Sequence, residues 1–111
     1  MEIEYDDNFW VYENYSNLPC FNINNDIIDD DFYNMNSDKI AQLIYEAALK
    51  LIGNDFLEIQ VCKLQFPDNK RGTAILNRDN FNETLNICLK IFEKLEQYEK
   101  CAKVLELLKM E

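Results

Sequence analysis

Phe56-Leu57-Glu58-Ile59-Gln60-Val61-Cys62-Lys63-Leu64-Gln65-Phe66 is the stretch on which an all-helical chain and an α+β chain part company. Leu57, Ile59 and Val61 alternate with polar residues, and Cys62, Leu64 and Phe66 then alternate in the opposite phase. A strand with one bulge, which swaps the two faces, accounts for the change. A short helix capped by Asn54 fits the same letters nearly as well, and both readings stay open at this point. The residues that follow favour the strand. Pro67-Asp68-Asn69-Lys70-Arg71-Gly72 has the composition of a turn, and Thr73-Ala74-Ile75-Leu76 is a short apolar run. Residues 56–66 and 73–77 are therefore expected to form a small antiparallel β-hairpin.

On either side of this hairpin the apolar period lengthens to that of helices. Ser37 is placed to cap a helix over about 38–52, with Asp38 at the positive end of its dipole, Lys50 at the negative end and Gly53 as the stop. Ile40, Leu43, Ile44, Ala47, Ala48 and Leu51 form its apolar stripe. Asn80 and Glu83 have capping-box spacing at the head of a helix over about 80–95, whose stripe is Phe81, Leu85, Cys88, Leu89, Phe92 and Leu95. Tyr98, Cys101, Ala102, Leu105 and Leu108 form the stripe of a third helix, over about 98–109. The polar interval Glu96-Gln97 predicts a tight αα-hairpin between the two. Leu95-Glu96-Gln97-Tyr98-Glu99-Lys100-Cys101-Ala102 resembles the helix-turn-helix junction of tetratricopeptide repeats, in which Tyr-Glu-Lys/Glu-x-Ala opens the second helix. The resemblance covers residues 80–109, lacks the repeat's glycine before the turn and has no second copy, so it implies local hairpin geometry alone.

The expected fold is one α+β domain over residues 1–111, with an acidic, aromatic-rich segment at 1–37 and an α/β body at 38–111. Within the first segment, 8–13 reads as a short strand, 14–19 as a turn and 20–28 as extended chain, with the rest irregular.

Charge is strongly segregated. The chain holds 21 acids and 11 bases, a formal net charge of −10. Residues 1–38 hold ten of those acids and no lysine or arginine, whereas the remainder is neutral. The same third holds eight of the fourteen aromatic residues and eight asparagines. Aromatic side chains give large contact area at low entropic cost, and clustered carboxylates steer a basic partner inward. Trp10, Tyr12, Tyr15 and Tyr33 are thus candidate anchors, ringed by Glu13, Asp26, Asp29, Asp30 and Asp31. For any single aromatic the competing reading, a place in the core, has even weight in a domain this small.

Several functions do not fit these residues. A nucleic-acid binder needs a basic surface. Histidine is absent, which removes Ser-His-Asp and Cys-His nucleophiles and His-ligated zinc. Asp26-Ile27-Ile28-Asp29-Asp30-Asp31 is rich in oxygen ligands, but a calcium-loop register begun at Asn34 puts Lys39 and Tyr45 where glycine and glutamate are required. Gly53 and Gly72 lack partners at phosphate-loop spacing. A carboxylate-only glycosidase would need a cleft that short loops hardly provide. Lys70-Arg71 reads as a solvated turn. Cys20, Cys62, Cys88 and Cys101 form no Cys-x-x-Cys pair and read as buried reduced thiols. No metal, cofactor or catalytic residue is expected. There is no apolar run of membrane-spanning length and the N-terminus is acidic, so the cytoplasm is the expected setting.

A small acidic α/β domain, rich in asparagine and isoleucine and without catalytic machinery, resembles in type the immunity proteins of bacterial toxin–immunity pairs. That resemblance implies a protein, monomeric when free, that binds a basic toxin nuclease domain and occludes its active or substrate-binding surface. Two alternatives stand beside it: a phage-type antagonist that mimics nucleic acid, and an adaptor that binds through its C-terminal helical hairpin.

Overall fold

Residues 58–65 are a strand, and the change of phase within them is a bulge. The computed structural model describes residues 2–5, 18–23, 33, 36–54, 56–67 and 70–110. In chain order their elements are β1 (Glu2–Tyr5), β2 (Cys20–Asn22), α1 (Ser37–Gly53), β3 (Glu58–Gln65), β4 (Arg71–Asn77), α2 (Phe81–Lys94) and α3 (Tyr98–Met110). β3 and β4 pair antiparallel, with Gln60 opposite Ile75 and Cys62 opposite Ala74, which leaves Val61 as the extra residue. The insertion lets Ile59 and Val61 on one side of it, and Cys62, Leu64 and Phe66 on the other, all reach one core. The short-helix alternative falls away, and the fold is α+β.

The hairpin is the middle of a four-stranded sheet of order β1-β4-β3-β2. β1 pairs antiparallel with β4, and β2 pairs parallel with β3 through Cys20↔Lys63, Phe21↔Leu64 and Asn22↔Gln65. Pro19 and Ile23 extend the β2 pairing by one bond at each end: Lys63 N donates to Pro19 O and Ile23 N donates to Gln65 O, both at 2.8 Å. Both edges of the sheet thus come from the acidic third. Of the extended chain expected over 20–28, the described part is the strand Cys20–Asn22 with Ile23. The strand expected at 8–13 lies outside the described residues.

The three helices and one face of the sheet share a single core. α1 contributes Ile40, Ala41, Ile44, Ala47, Ala48 and Leu51, α2 contributes Phe81, Leu85, Cys88, Ile91 and Phe92, and α3 contributes Cys101, Val104 and Leu107. The three alanines of α1 allow close approach of its neighbours, and the Cys88 thiol donates to Ala41 O across the α1–α2 contact at 3.2 Å.

Several expected caps are replaced by others. Asn36, not Ser37, is the N-cap of α1 and makes no side-chain capping bond. Gly53 is the last helical residue rather than a left-handed stop, and no described glycine has positive φ. The helix is closed instead by side chains that satisfy its last carbonyls. Asn54 Nδ2 donates to Lys50 O at 2.9 Å, and Arg78 Nη2 donates to Leu51 O at 3.0 Å and Asn54 O at 3.2 Å. The Asn80–Glu83 box does not form, because Asn80 is engaged elsewhere. Asn77 and Asn80 exchange main-chain N–H to side-chain oxygen bonds at 2.9 Å each, which fixes the β4–α2 turn.

The αα-hairpin is present, and Glu96 makes it. With φ of 59° it is the one described non-glycine residue in the left-handed region. Glu96 N donates to Glu93 O at 3.0 Å and Gln97 N donates to Phe92 O at 2.9 Å, the bond pair of a Schellman stop. Among the described residues no helix is long and apolar enough to cross a membrane.

Candidate functional site

The acidic stretch is pinned at the sheet's two edges. β1 leads out of one edge at Tyr5, and β2 begins at Cys20 on the other. Of the candidate contact residues, Trp10, Tyr12, Glu13, Tyr15, Asp26, Asp29, Asp30 and Asp31 lie outside the described residues. Tyr33 lies within them, half-buried against the main core. Phe21, another aromatic of the same third, is buried beneath Lys39, whose Nζ stands 5.3 Å from the ring centroid. The described part of this third therefore gives Phe21 wholly, and Tyr33 partly, to packing.

Asp38, the last acid of the stretch, is exposed at the head of α1. Its carboxylate accepts from Gln97 Nε2 at 3.4 Å, which joins the start of α1 to the α2–α3 turn. Gln97 Oε1 itself is buried without a partner, as are the hydroxyls of Thr73 and Thr84.

The thiols divide three to one. Burial, with a smaller contribution from Cys20, pushes Cys62 up to about 12. Burial, with a smaller contribution from Cys101, does the same to Cys88, also to about 12. Burial and the nearby Glu93 carboxylate raise Cys101. A thiol held protonated is neither nucleophile nor metal ligand near neutral pH. Cys20 differs from the expected pattern: it is exposed on the β2 edge, with a free thiol. Asn22 is exposed like Cys20, whereas Phe21 between them is buried.

Lys70 and Arg71 are exposed at the β3–β4 turn. β4 begins at Arg71, one residue before the expected end of the turn, and Gly72 is buried within the strand. Among the described residues no group of three or more Cys, Asp or Glu side chains is placed to hold a metal ion.

The apolar stripe expected on α3 splits in two. Cys101, Val104 and Leu107 are buried, whereas Tyr98 is 66% exposed, Leu105 46% exposed, and Ala102 exposed between them. α3 packs chiefly on α2, and one neighbouring helix cannot cover an apolar arc that broad. The signal was in the sequence: Tyr98, Ala102 and Leu105 follow one line of the helix, and Cys101, Val104 and Leu108 follow the next. Leu95 at the tail of α2, expected in the core stripe, is also exposed. No protein family, curated protein or solved structure matches this chain.

Proposed function

We propose that this protein is a small acidic inhibitor that binds a basic protein partner through its lysine-free opening third, as an immunity protein neutralises a toxin. The partner class is a nuclease domain, whose phosphate-binding lysines and arginines form the positive counterpart, and the setting is the cytoplasm. The observation that carries this is the segregation of charge: ten acids and no base over residues 1–38, then a neutral body. Glu13, Asp26, Asp29, Asp30 and Asp31 supply the field, and the neighbouring aromatic residues supply contact area. The role needs no catalysis, in keeping with a chain that lacks histidine and holds its buried thiols protonated.

The test is capture of partners by the tagged protein at low salt, repeated at rising salt. A basic partner recovered at low salt and lost progressively supports the reading. Reversing Asp29, Asp30 and Asp31 to lysine should slow its association at least tenfold, with helix content unchanged. Binding untouched by that reversal would refute it. The exposed row Tyr98, Ala102 and Leu105 favours a second reading, an adaptor that docks through α3. In that case Leu105→Glu abolishes capture and the aspartate reversal does not.

A further inference from the structure

α3 carries more apolar surface than its neighbours cover. Cys101, Val104 and Leu107 are buried in the common core, whereas Tyr98, Ala102 and Leu105 are exposed. These three follow one another at four and three residues, so they form one line along the helix, about 10 Å from end to end. Leu95, also exposed, precedes Tyr98 across the turn. A line of this length suits two turns of a second helix laid beside it.

Charge decides which helix. At about 100° per residue, Glu99 and Glu106 fall beside the row on the flank away from Cys101, and both are exposed. The other flank is bordered by the exposed Glu93 of α2, whose carboxylate stands near the Cys101 thiol. At the head of the row is a depression of about 290 Å³, lined by Glu96, Gln97, Tyr98, Glu99 and Lys100. Lys100 directs its ammonium over the buried Phe92 ring, 5.3 Å from the centroid. Lys103 lies beyond the two glutamates, and Lys109 closes the row four residues after Leu105. The surface is thus apolar along its middle, acidic at the turn and on both flanks, and basic at its far end.

That pattern argues against a second copy of the chain. Packed antiparallel about a two-fold axis, two α3 helices would bring their Glu99–Glu106 flanks together, and like charges set face to face oppose association. We infer that the row Tyr98, Ala102 and Leu105 docks an amphipathic helix of a basic partner, which flanks its apolar stripe with lysine or arginine and seats one of those side chains in the depression beside Tyr98. Glu96 and Glu99 there supply the opposite charge, and the apolar row supplies the buried area. The inference rests on the adaptor reading of α3 and gives its partner a chemistry. It uses no residue of the acidic opening third.

The probes are two fluorescent amphipathic peptides of about 18 residues, five helical turns, with the same leucine stripe. One is flanked by lysine and arginine, the other by glutamate, and binding to the full chain is read by anisotropy. The basic peptide should bind at least tenfold more tightly than the acidic one, and less tightly as salt rises. Leu105→Glu should weaken it at least tenfold with helix content unchanged, and so should Glu99→Lys combined with Glu106→Lys. Leu105→Glu makes the chain more negative, so a peptide held by net charge alone would bind that variant as well or better, and this result would overturn the inference. If neither peptide shows binding that depends on Leu105, the adaptor reading fails with it. If both bind equally through Leu105, that reading stands and the basic partner is refuted. A dimer in sedimentation that Leu105→Glu disperses would assign the face to a second copy and overturn the inference as well.

Discussion

Replacing Glu96 by glycine should stabilise the protein. Glu96 holds φ at 59° to end α2 and turn the chain into α3. A side chain with a Cβ pays about 1–2 kcal/mol for that conformation, which glycine adopts freely. Glycine also gives the unfolded chain more freedom, which offsets about 0.5–1 kcal/mol of the gain. The net expectation is about 1 kcal/mol of added stability, or roughly 4 °C in Tm for a domain of this size. Removal of a carboxylate next to the negative end of α2 acts in the same direction, so charge must be separated from backbone. Glu96→Gln removes the charge and keeps the Cβ, and Glu96→Ala removes the whole side chain beyond it. Urea unfolding followed by far-UV circular dichroism should rank glycine above both, with an unchanged m-value. If alanine or glutamine matches glycine, the left-handed residue is not the source of strain and the reasoning fails.

Thr84→Val removes a fully buried hydroxyl that has no hydrogen-bond partner, so the variant should be more stable by about 1 kcal/mol in the same assay. Arg78→Ala exposes the unsatisfied carbonyls of Leu51 and Asn54 at the end of α1 and should cost about 1–2 kcal/mol, with lysine restoring part of it. At pH 8 iodoacetamide should label the native protein once, at Cys20, and the urea-unfolded protein four times, as read by intact mass. Cys62 and Cys88 also set an alkaline limit. Their unfolded thiols lose protons near pH 9 and the folded ones only near 12, so the folded state binds more protons in that window. Stability should therefore be unaffected by these groups below pH 9 and fall above it, by up to about 1.4 kcal/mol per pH unit for each thiol.

The helices and the central hairpin were legible because each carries a local signal long enough to read. α1 and α2 show full apolar stripes, and the phase change at Val61-Cys62 announced the bulge in β3. β1 and β2 were not legible as sheet edges. They are four and three residues long, and their pairing is decided by distant partners rather than by their own pattern. Caps failed where a stronger competitor existed nearby, as when Asn77 engaged Asn80 and Arg78 served the end of α1. At the candidate site, composition exposed the segregation of charge at once. It could not say that Phe21 belongs to the core, because an aromatic residue in an acidic stretch reads the same in either role. Tyr98 and Leu105 were assigned to the interior because periodicity gives the width of an apolar arc, not the number of neighbours available to cover it.

Of the two neighbours of β4 in the sheet, β3 is made just before it and β1 long before it. Residue 2 leaves the ribosome 73 positions before residue 75, its partner in the sheet. At roughly 5–20 residues per second the early stretch waits several seconds for a mate. During that wait α1 and the β3–β4 hairpin can assemble from contacts close in sequence, whereas β1 must still close the longest loop among the described strand pairings. An unpaired strand that carries Ile3 and Tyr5 would be a hazard if it were neutral. Glu2 and Glu4 within it, and Asp6 and Asp7 beside it, give every copy the same charge, and like charges oppose pairing between copies before β4 is made.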